Sequence, residues 1–299
     1  MDKILQVAFW VSSIVCVDII LCSLIGLIPN VLWMAGDRPR YLLGFTYMLF
    51  PSMIAFNVTC IVVLLKQDRF SLVHALCLFA ANLAIYLATD SRLSFYLAIA
   101  IIVLGLVGSQ RKRQSLASAS ILLSHMVHAP ITRIVAYAAF PVCALVMLLL
   151  TIMYSPDNAI MQALNSILGQ RLELGNSVFH GYGLTLFGQE ITQTGSALGA
   201  DGTVTSMGSY NYIDSLYVKL FIQVGIVPAI IFIAGFTWLS IWAYNERKWY
   251  LLAMLLILAL HLTIDDLSFF LRYNILLLYL SMPLTCKHDM SNEDRSEGV

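Results

Sequence analysis

The stretch LNSILGQRLELGNSVFHGYGLTLFGQEI, residues 164–191, gathers an arginine, two glutamates, a histidine and a run of glycines inside a chain that is otherwise largely apolar. Of the 299 residues 60% are hydrophobic and 11% charged, and several apolar runs are long enough to cross a bilayer. The chain therefore reads as a polytopic membrane protein, and this stretch is the hydrophilic interruption that divides its spans into two groups. The 17 basic and 17 acidic residues cancel, so neither a nucleic-acid surface nor an acidic tail is implied.

Working outward from the stretch, eight spans are expected in an all-α fold: 4–28, 41–65, 70–89, 92–109 and 134–154 before it, and 215–244, 249–264 and 267–284 after it. Residues 1–154 then form an N-terminal membrane half, 155–214 an extracytoplasmic loop, 215–284 a C-terminal membrane half and 285–299 a cytoplasmic tail. The last two spans are short. At about 1.5 Å per residue, a helix of about 16 residues reaches about 24 Å, so 249–284 also reads as a thin hairpin or re-entrant pair. The first run carries Asp18 and ends without a small-residue cleavage site, so it is expected to stay as an anchor. Asp18 has no basic neighbour in sequence and must face a partner or water.

Orientation follows from Lys and Arg. With the N-terminus inside, Lys3, Lys66, Arg69, Arg111, Lys112, Arg113, Arg133, Arg247, Lys248, Lys287 and Arg295 fall on the cytoplasmic side. Arg38, Arg40, Arg92, Arg171, Lys219 and Arg272 fall on the outer side or outer half, and this bias favours N-in, C-in. Residues 111–133 are expected to hold an interfacial helix, with His125 and His128 at the headgroups. The first half of the loop keeps a helical apolar rhythm, whereas its second half, TGSALGADGTVTSMGSYNYID, reads as a mobile lid or coil. Five of the six cysteines lie inside apolar runs and read as small core residues.

Chemistry is expected at the outer edge. Arg38, Arg40 and Arg171 carry guanidinium forks that suit a phosphate or pyrophosphate, or else pair with Asp37 and Glu173. His180 is the one histidine of the loop and a candidate base, with Glu173 and Glu190 as alternatives. Tyr182 and Phe187 are candidate sugar-stacking aromatics among turn-making glycines. Asp214 either caps the sixth span or pairs with Lys219, and Asp265 would pair with Arg272 if helix continued between them. No phosphate loop, metalloprotease H-E-x-x-H or paired CxxC occurs in the sequence.

Several stretches in order resemble the Wzy-type O-antigen and capsule polymerases, of the superfamily that includes the O-antigen ligases. RYLLGF (40–45) resembles the family's R-x-S-L-G-F motif, and TDSRLSFYLAI (89–99) its Ser-Arg motif at the start of a span. GQRLELGNSVFHGYGLTLFGQEI (169–191) is similar to its Arg-containing loop ending in L-F-G, and YIDSLYVKLFIQVGIVP (212–228) to its re-entry segment. Two departures stand beside this: FTYMLFPS follows Gly44 where the family often has His-Pro-Asn, and Arg40 follows one span where the family has several. A truncated or minimal version of the family is implied.

The resemblance implies a glycosyltransferase in the bacterial cytoplasmic membrane that joins polyprenyl-pyrophosphate-linked oligosaccharides. Arg40 and Arg171 would grip the pyrophosphate, His180 or Glu173 would act as base, and Arg38, Arg92, Tyr182 and Asp214 would bind substrate. No metal or other cofactor is required on this account. A chain-length regulator and a flippase are the implied partners besides the bilayer. The alternatives are a ligase-like glycan transferase and a transporter of polysaccharide or lipid-linked oligosaccharide, in which the same arginines would line a path.

Overall fold

A computed structural model describes residues 1–35, 38–113, 130–192, 194–198 and 204–283; the side chains of 33–38, 110–113, 130, 194–198 and 204–211 are not among those described. The membrane half before the loop consists of α1 (Asp2–Leu24), α2 (Phe50–Lys66), α3 (Leu72–Thr89), α4 (Arg92–Arg113) and α5 (Pro130–Ile152). A hairpin of β1 (Leu32–Ala35) and β2 (Arg38–Tyr41) follows α1. The loop contains α6 (Ala159–Ile167), α7 (Arg171–Tyr182) and a second antiparallel hairpin, β3 (Thr194–Leu198) with β4 (Val204–Asn211). After it come α8 (Leu216–Lys219), a π-helical turn at Leu220–Val224, α9 (Ile226–Asn245) and α10 (Trp249–His261). Short 3-10 turns at Leu267–Phe269 and Ile275–Ser281 complete the described chain.

Among the described residues six helices, α1 to α5 and α9, are long and apolar enough to cross a membrane. They overlap six of the eight expected spans, but α2 begins at Phe50 where 41 was expected and α9 at Ile226 where 215 was expected. The remaining two do not form spanning helices: α10 has 13 residues, about 20 Å of helix, and 262–283 returns in turns. Two asparagines account for this departure. Asn57 of α2 donates to the Arg272 carbonyl (3.3 Å) and accepts from Ile275 N (2.8 Å), and Asn274 Nδ2 donates to the Ser268 carbonyl (2.9 Å). Backbone groups that a helix would satisfy internally are thus met by side chains, which lets buried chain turn without helix. Residues 249–283 form a hairpin, and the Asp265–Arg272 pairing that a continuous helix would give is absent among the described residues.

The spans are not equivalent. Over its apolar window α2 is 56% buried, against 11% for α1 and 17% for α3, so α2 is the central post and α1 and α3 expose broad apolar faces. Buried Asn82 of α3 donates to Thr59 of α2 (2.9 Å) and ties those two helices. Phe140 of α5 stacks on Phe236 of α9 at 5.1 Å, joining the two membrane halves. Helix α3 starts on a capping box in which the Ser71 hydroxyl and His74 Nδ1 lie 2.7 Å apart.

The loop's second half departs from the expected coil, because β3 and β4 pair in it. Residues 114–129 and 284–299 lie outside the described residues, and with them most of the expected interfacial helix and the tail.

Candidate functional site

Two polar clusters occupy the end of the bundle that carries the loop. The first is built where the β1–β2 hairpin meets the α3–α4 turn. Asp90 closes α3 in the left-handed region, with φ of 50°, and this turn points its carboxylate at two arginines. Arg92 Nε lies 3.1 Å from Asp90 Oδ1 and Arg40 Nη2 3.5 Å from Asp90 Oδ2. Arg40 Nη1 approaches Met48 Sδ at 3.1 Å, and its buried Nε has no hydrogen-bond partner among the described residues. Two cations therefore share one carboxylate, and one of them holds a donor in reserve. The structure brings Arg40 and Arg92 together; the side chain of Arg38 is outside those described.

The second cluster is built on the loop. Helix α6 ends at Ile167, and the chain reverses through Gly169 and Gln170, with φ of 63° and 65°. Asn165 accepts from Leu172 N and Glu173 N (3.1 and 3.2 Å), which caps the first turn of α7 from the preceding helix. Arg171 folds back over Gly169, where a Cβ would meet Nη1 at 2.4 Å. Its Nη1 then donates to the carbonyls of Leu168 (3.0 Å) and Gly169 (3.2 Å), and its Nε to the Ile264 carbonyl (2.6 Å). Arg171 is thus a clamp between α7 and the tip of the 249–283 hairpin.

At that tip Asp266 accepts from Lys219 (2.5 Å) and from the Tyr212 hydroxyl (2.7 Å), so the end of the loop is pinned to the same turn as its beginning. Lys219 therefore pairs with an acid 47 residues away and not with Asp214. Asp214 does not cap α8 either, since Ser215 holds that position. Buried Asp265 and Ser268 and the fully packed His261 complete the tip, with Ser268 Oγ 3.3 Å from His261 Nδ1 and 3.5 Å from Asp265 Oδ2. Burial first, and then the adjacent Asp266, push the Asp265 carboxyl up to about 8, while Arg171 pulls it down. Arg272 is exposed and lies over the rings of Tyr273, Phe50 and Phe270.

Helix α7 spreads the other expected residues apart. Leu172, Gly175 and Val178 face inward, and Gly175 admits Thr151 and Val218 where a Cβ would meet them at 2.9 and 3.2 Å. Glu173 points outward and takes a hydrogen bond from Asn165 (3.2 Å). His180 is exposed nine residues beyond Arg171, about 14 Å along the axis, against the ring of Phe179. Tyr182 ends the helix, its hydroxyl accepting from Thr192 N at 3.3 Å.

The glycines beyond α7 have one specific task. Gly188 and Gly225, at φ of 94° and 108°, meet backbone to backbone: a Cβ on Gly225 would come within 2.3 Å of Gly188 N. There the loop carbonyls of Thr185 and Leu186 accept from Ile226 N and Val227 N (2.9 and 3.0 Å), capping the start of α9. The segment 216–245 is consequently a broken helix, interrupted at the π-turn and Gly225.

The clusters contain residues that the sequence reading did not select as functional: Asp90, His261, Ser268, Asn57 and Asn165. Asn57 and His261 gave a sequence signal, as polar groups within apolar spans. No protein-family model matches the chain, and no curated protein or solved structure is significantly similar to it.

Proposed function

We propose that the chain is a glycosyltransferase that joins polyprenyl-pyrophosphate-linked oligosaccharide repeat units at the outer face of a bacterial cytoplasmic membrane, for capsule, exopolysaccharide or O-antigen synthesis. A hydroxyl of one unit attacks the anomeric carbon of a chain held on polyprenyl pyrophosphate. The bond from that carbon to the pyrophosphate oxygen breaks, the lipid pyrophosphate leaves, and the hydroxyl proton passes to a base. Negative charge grows on the leaving group, and fixed guanidinium groups in a partly dry site stabilise it.

The observation that carries this reading is Arg40, whose buried Nε has no hydrogen-bond partner among the described residues and whose Nη2 shares Asp90 with Arg92. An anion accepting from Arg40 Nε and from the half-exposed Arg92 would complete that cluster. Arg171, whose guanidinium donates to three carbonyls, would serve the site by holding the loop in place. For the base, Glu173 is near Arg171, whereas His180 would act only on a substrate reaching about 14 Å along α7. In this reading the N- and C-termini lie inside and the loop outside. Substrate would contact Tyr182 and the β3–β4 hairpin.

Purified protein in nanodiscs, given lipid-linked oligosaccharide extracted from the native membranes, tests the proposal. A ladder of elongated products is expected. Transfer of one unit to a different acceptor would replace polymerase by ligase, and no transfer would overturn both. A cysteine placed at Met161 in a Cys-free background should label with a membrane-impermeant reagent in intact cells, and one at Gln114 should not. The reverse pattern would contradict the orientation.

A transporter is the second reading, favoured by the broken helix 216–245 and by the buried ionisable groups Asp265, Asp266 and His261 at a hairpin tip. Uptake of labelled lipid-linked oligosaccharide into proteoliposomes without any product of higher mass would select it.

A further inference from the structure

Arg272 serves neither cluster. Its backbone is fixed: Asn57 of α2 donates to the Arg272 carbonyl (3.3 Å) and accepts from Ile275 N (2.8 Å), and the adjacent Tyr273 stacks on Phe50 at 5.3 Å. The exposed guanidinium lies over three rings, 4.7 Å from the centroid of Tyr273 and 5.6 Å from those of Phe50 and Phe270. Ring faces attract a cation without neutralising it, and its N–H edge stays free to donate. Among the described residues no carboxylate comes within ion-pair distance of Arg272, and none of its side-chain N–H donors meets an acceptor.

This arginine stands at the end of an apolar path. Phe232 of α9 lies six residues past Ile226 and beside exposed Ile230 and Ile231, which places it about 9 Å along a helix long enough to span. From Phe232 the rings continue to Phe269 (5.9 Å), from Phe269 to Phe270 (6.0 Å), and from Phe270 to the Arg272 guanidinium (5.6 Å). Phe269, Phe270 and Leu271 are each between 43% and 49% exposed. The lipid-facing wall of α9 thus leads without a break to a cation that has no anion.

We propose that Arg272 and these rings bind one anionic phospholipid of the bilayer, its phosphodiester accepting from the guanidinium and an acyl chain lying along Phe270, Phe269 and Ile231. The occupant follows from charge. A phosphodiester carries a single negative charge, which one guanidinium matches, whereas the pyrophosphate of a carrier lipid carries more and suits the paired Arg40 and Arg92. A zwitterionic headgroup would bring a cation of its own, and no described acid stands beside Arg272 to take it. Because Asn57 and Phe50 already hold the arginine in place, binding has little ordering left to impose.

Quenching of tryptophan fluorescence by brominated lipid reads this site in the full-length chain. With the 5 native tryptophans replaced by phenylalanine, Phe269→Trp in phosphatidylcholine bilayers should be quenched by brominated phosphatidylglycerol at a mole fraction about 5-fold lower than by brominated phosphatidylcholine, the scale of one basic residue at an anionic surface. Adding Arg272→Gln should abolish that preference, and Leu145→Trp, on an exposed face of α5, should show none. In the chain with its native tryptophans, native mass spectrometry should find one fewer retained phosphatidylglycerol in Arg272→Gln than in the wild type. Equal quenching by the two lipids, a preference that survives Arg272→Gln or appears equally at Leu145→Trp, or an unchanged number of retained lipids would overturn the proposal. Relief of the quenching by farnesyl pyrophosphate at a lower mole fraction than the phosphatidylglycerol would assign the site to a carrier lipid and overturn it too.

Discussion

The two clusters at the loop end use the same residue types to opposite ends. At the tip of the 249–283 hairpin the groups are matched: Asp266 takes Lys219 and Tyr212, Arg171 takes three carbonyls, and Asp266 is 4% exposed. At the β1–β2 hairpin, among the described residues, two arginines divide one carboxylate, and Arg92 is half exposed. A matched cluster holds elements in place, while an unmatched one is left to attract a further anion. The charge balance of a site therefore separates anchoring from recognition better than the presence of arginine does.

Variants at the matched end should lose stability first. Gly225→Ala puts a Cβ against backbone at an already left-handed φ, where no side chain can yield, and should cost about 4 kcal/mol or more in thermal unfolding. Lys219→Met leaves Asp266 buried without its cation and should cost about 3 kcal/mol, with much of it recovered when Asp266→Asn is added. If the double variant is no better than the single one, the pair is not what holds the tip.

These variants also show what was legible in sequence. The six long spans follow from apolar length alone, and the gathering of arginines at one end from their placement between those spans. The shortness of the last two runs already reads as a hairpin or re-entrant pair over 249–284, but where that segment turns is not legible, because its turns depend on Asn57, more than 200 residues away. Gly188 and Gly225 read separately as turn-makers, since nothing local says that they touch. Lys219 had an acid five residues before it and chose one 47 residues on. His180 was selected for its chemistry, and α7 then carried it away from Arg171. Long-range contacts decided each of these points, and a one-dimensional pattern does not contain them.

Two smaller effects sharpen the comparison. The native state holds the Asp265 proton up to about pH 8, whereas an unfolded carboxyl releases it near its ordinary value of about 4. Between those limits the folded state binds more protons, so this group's contribution to stability falls as pH rises from about 4 to 8 and is flat above. Asp265→Asn should remove most of that dependence across the window, measured as melting temperature against pH. An equal slope in both proteins would contradict it. At the unmatched end, Arg92→Gln should leave the melting temperature unchanged, because an exposed ion pair contributes little. A marked drop would make that cluster an anchor as well.

The central claim is that the unmatched cluster grips a pyrophosphate. Binding of farnesyl pyrophosphate, a short soluble stand-in for the polyprenyl carrier, tests it directly by calorimetry on detergent-solubilised protein. The account predicts saturable binding to the wild type that inorganic pyrophosphate displaces. In Arg40→Gln the affinity should fall by about 10- to 100-fold, the scale of a lost charge-assisted contact, with the melting temperature unchanged. Equal affinity in the wild type and Arg40→Gln, or no binding to either, would contradict the account.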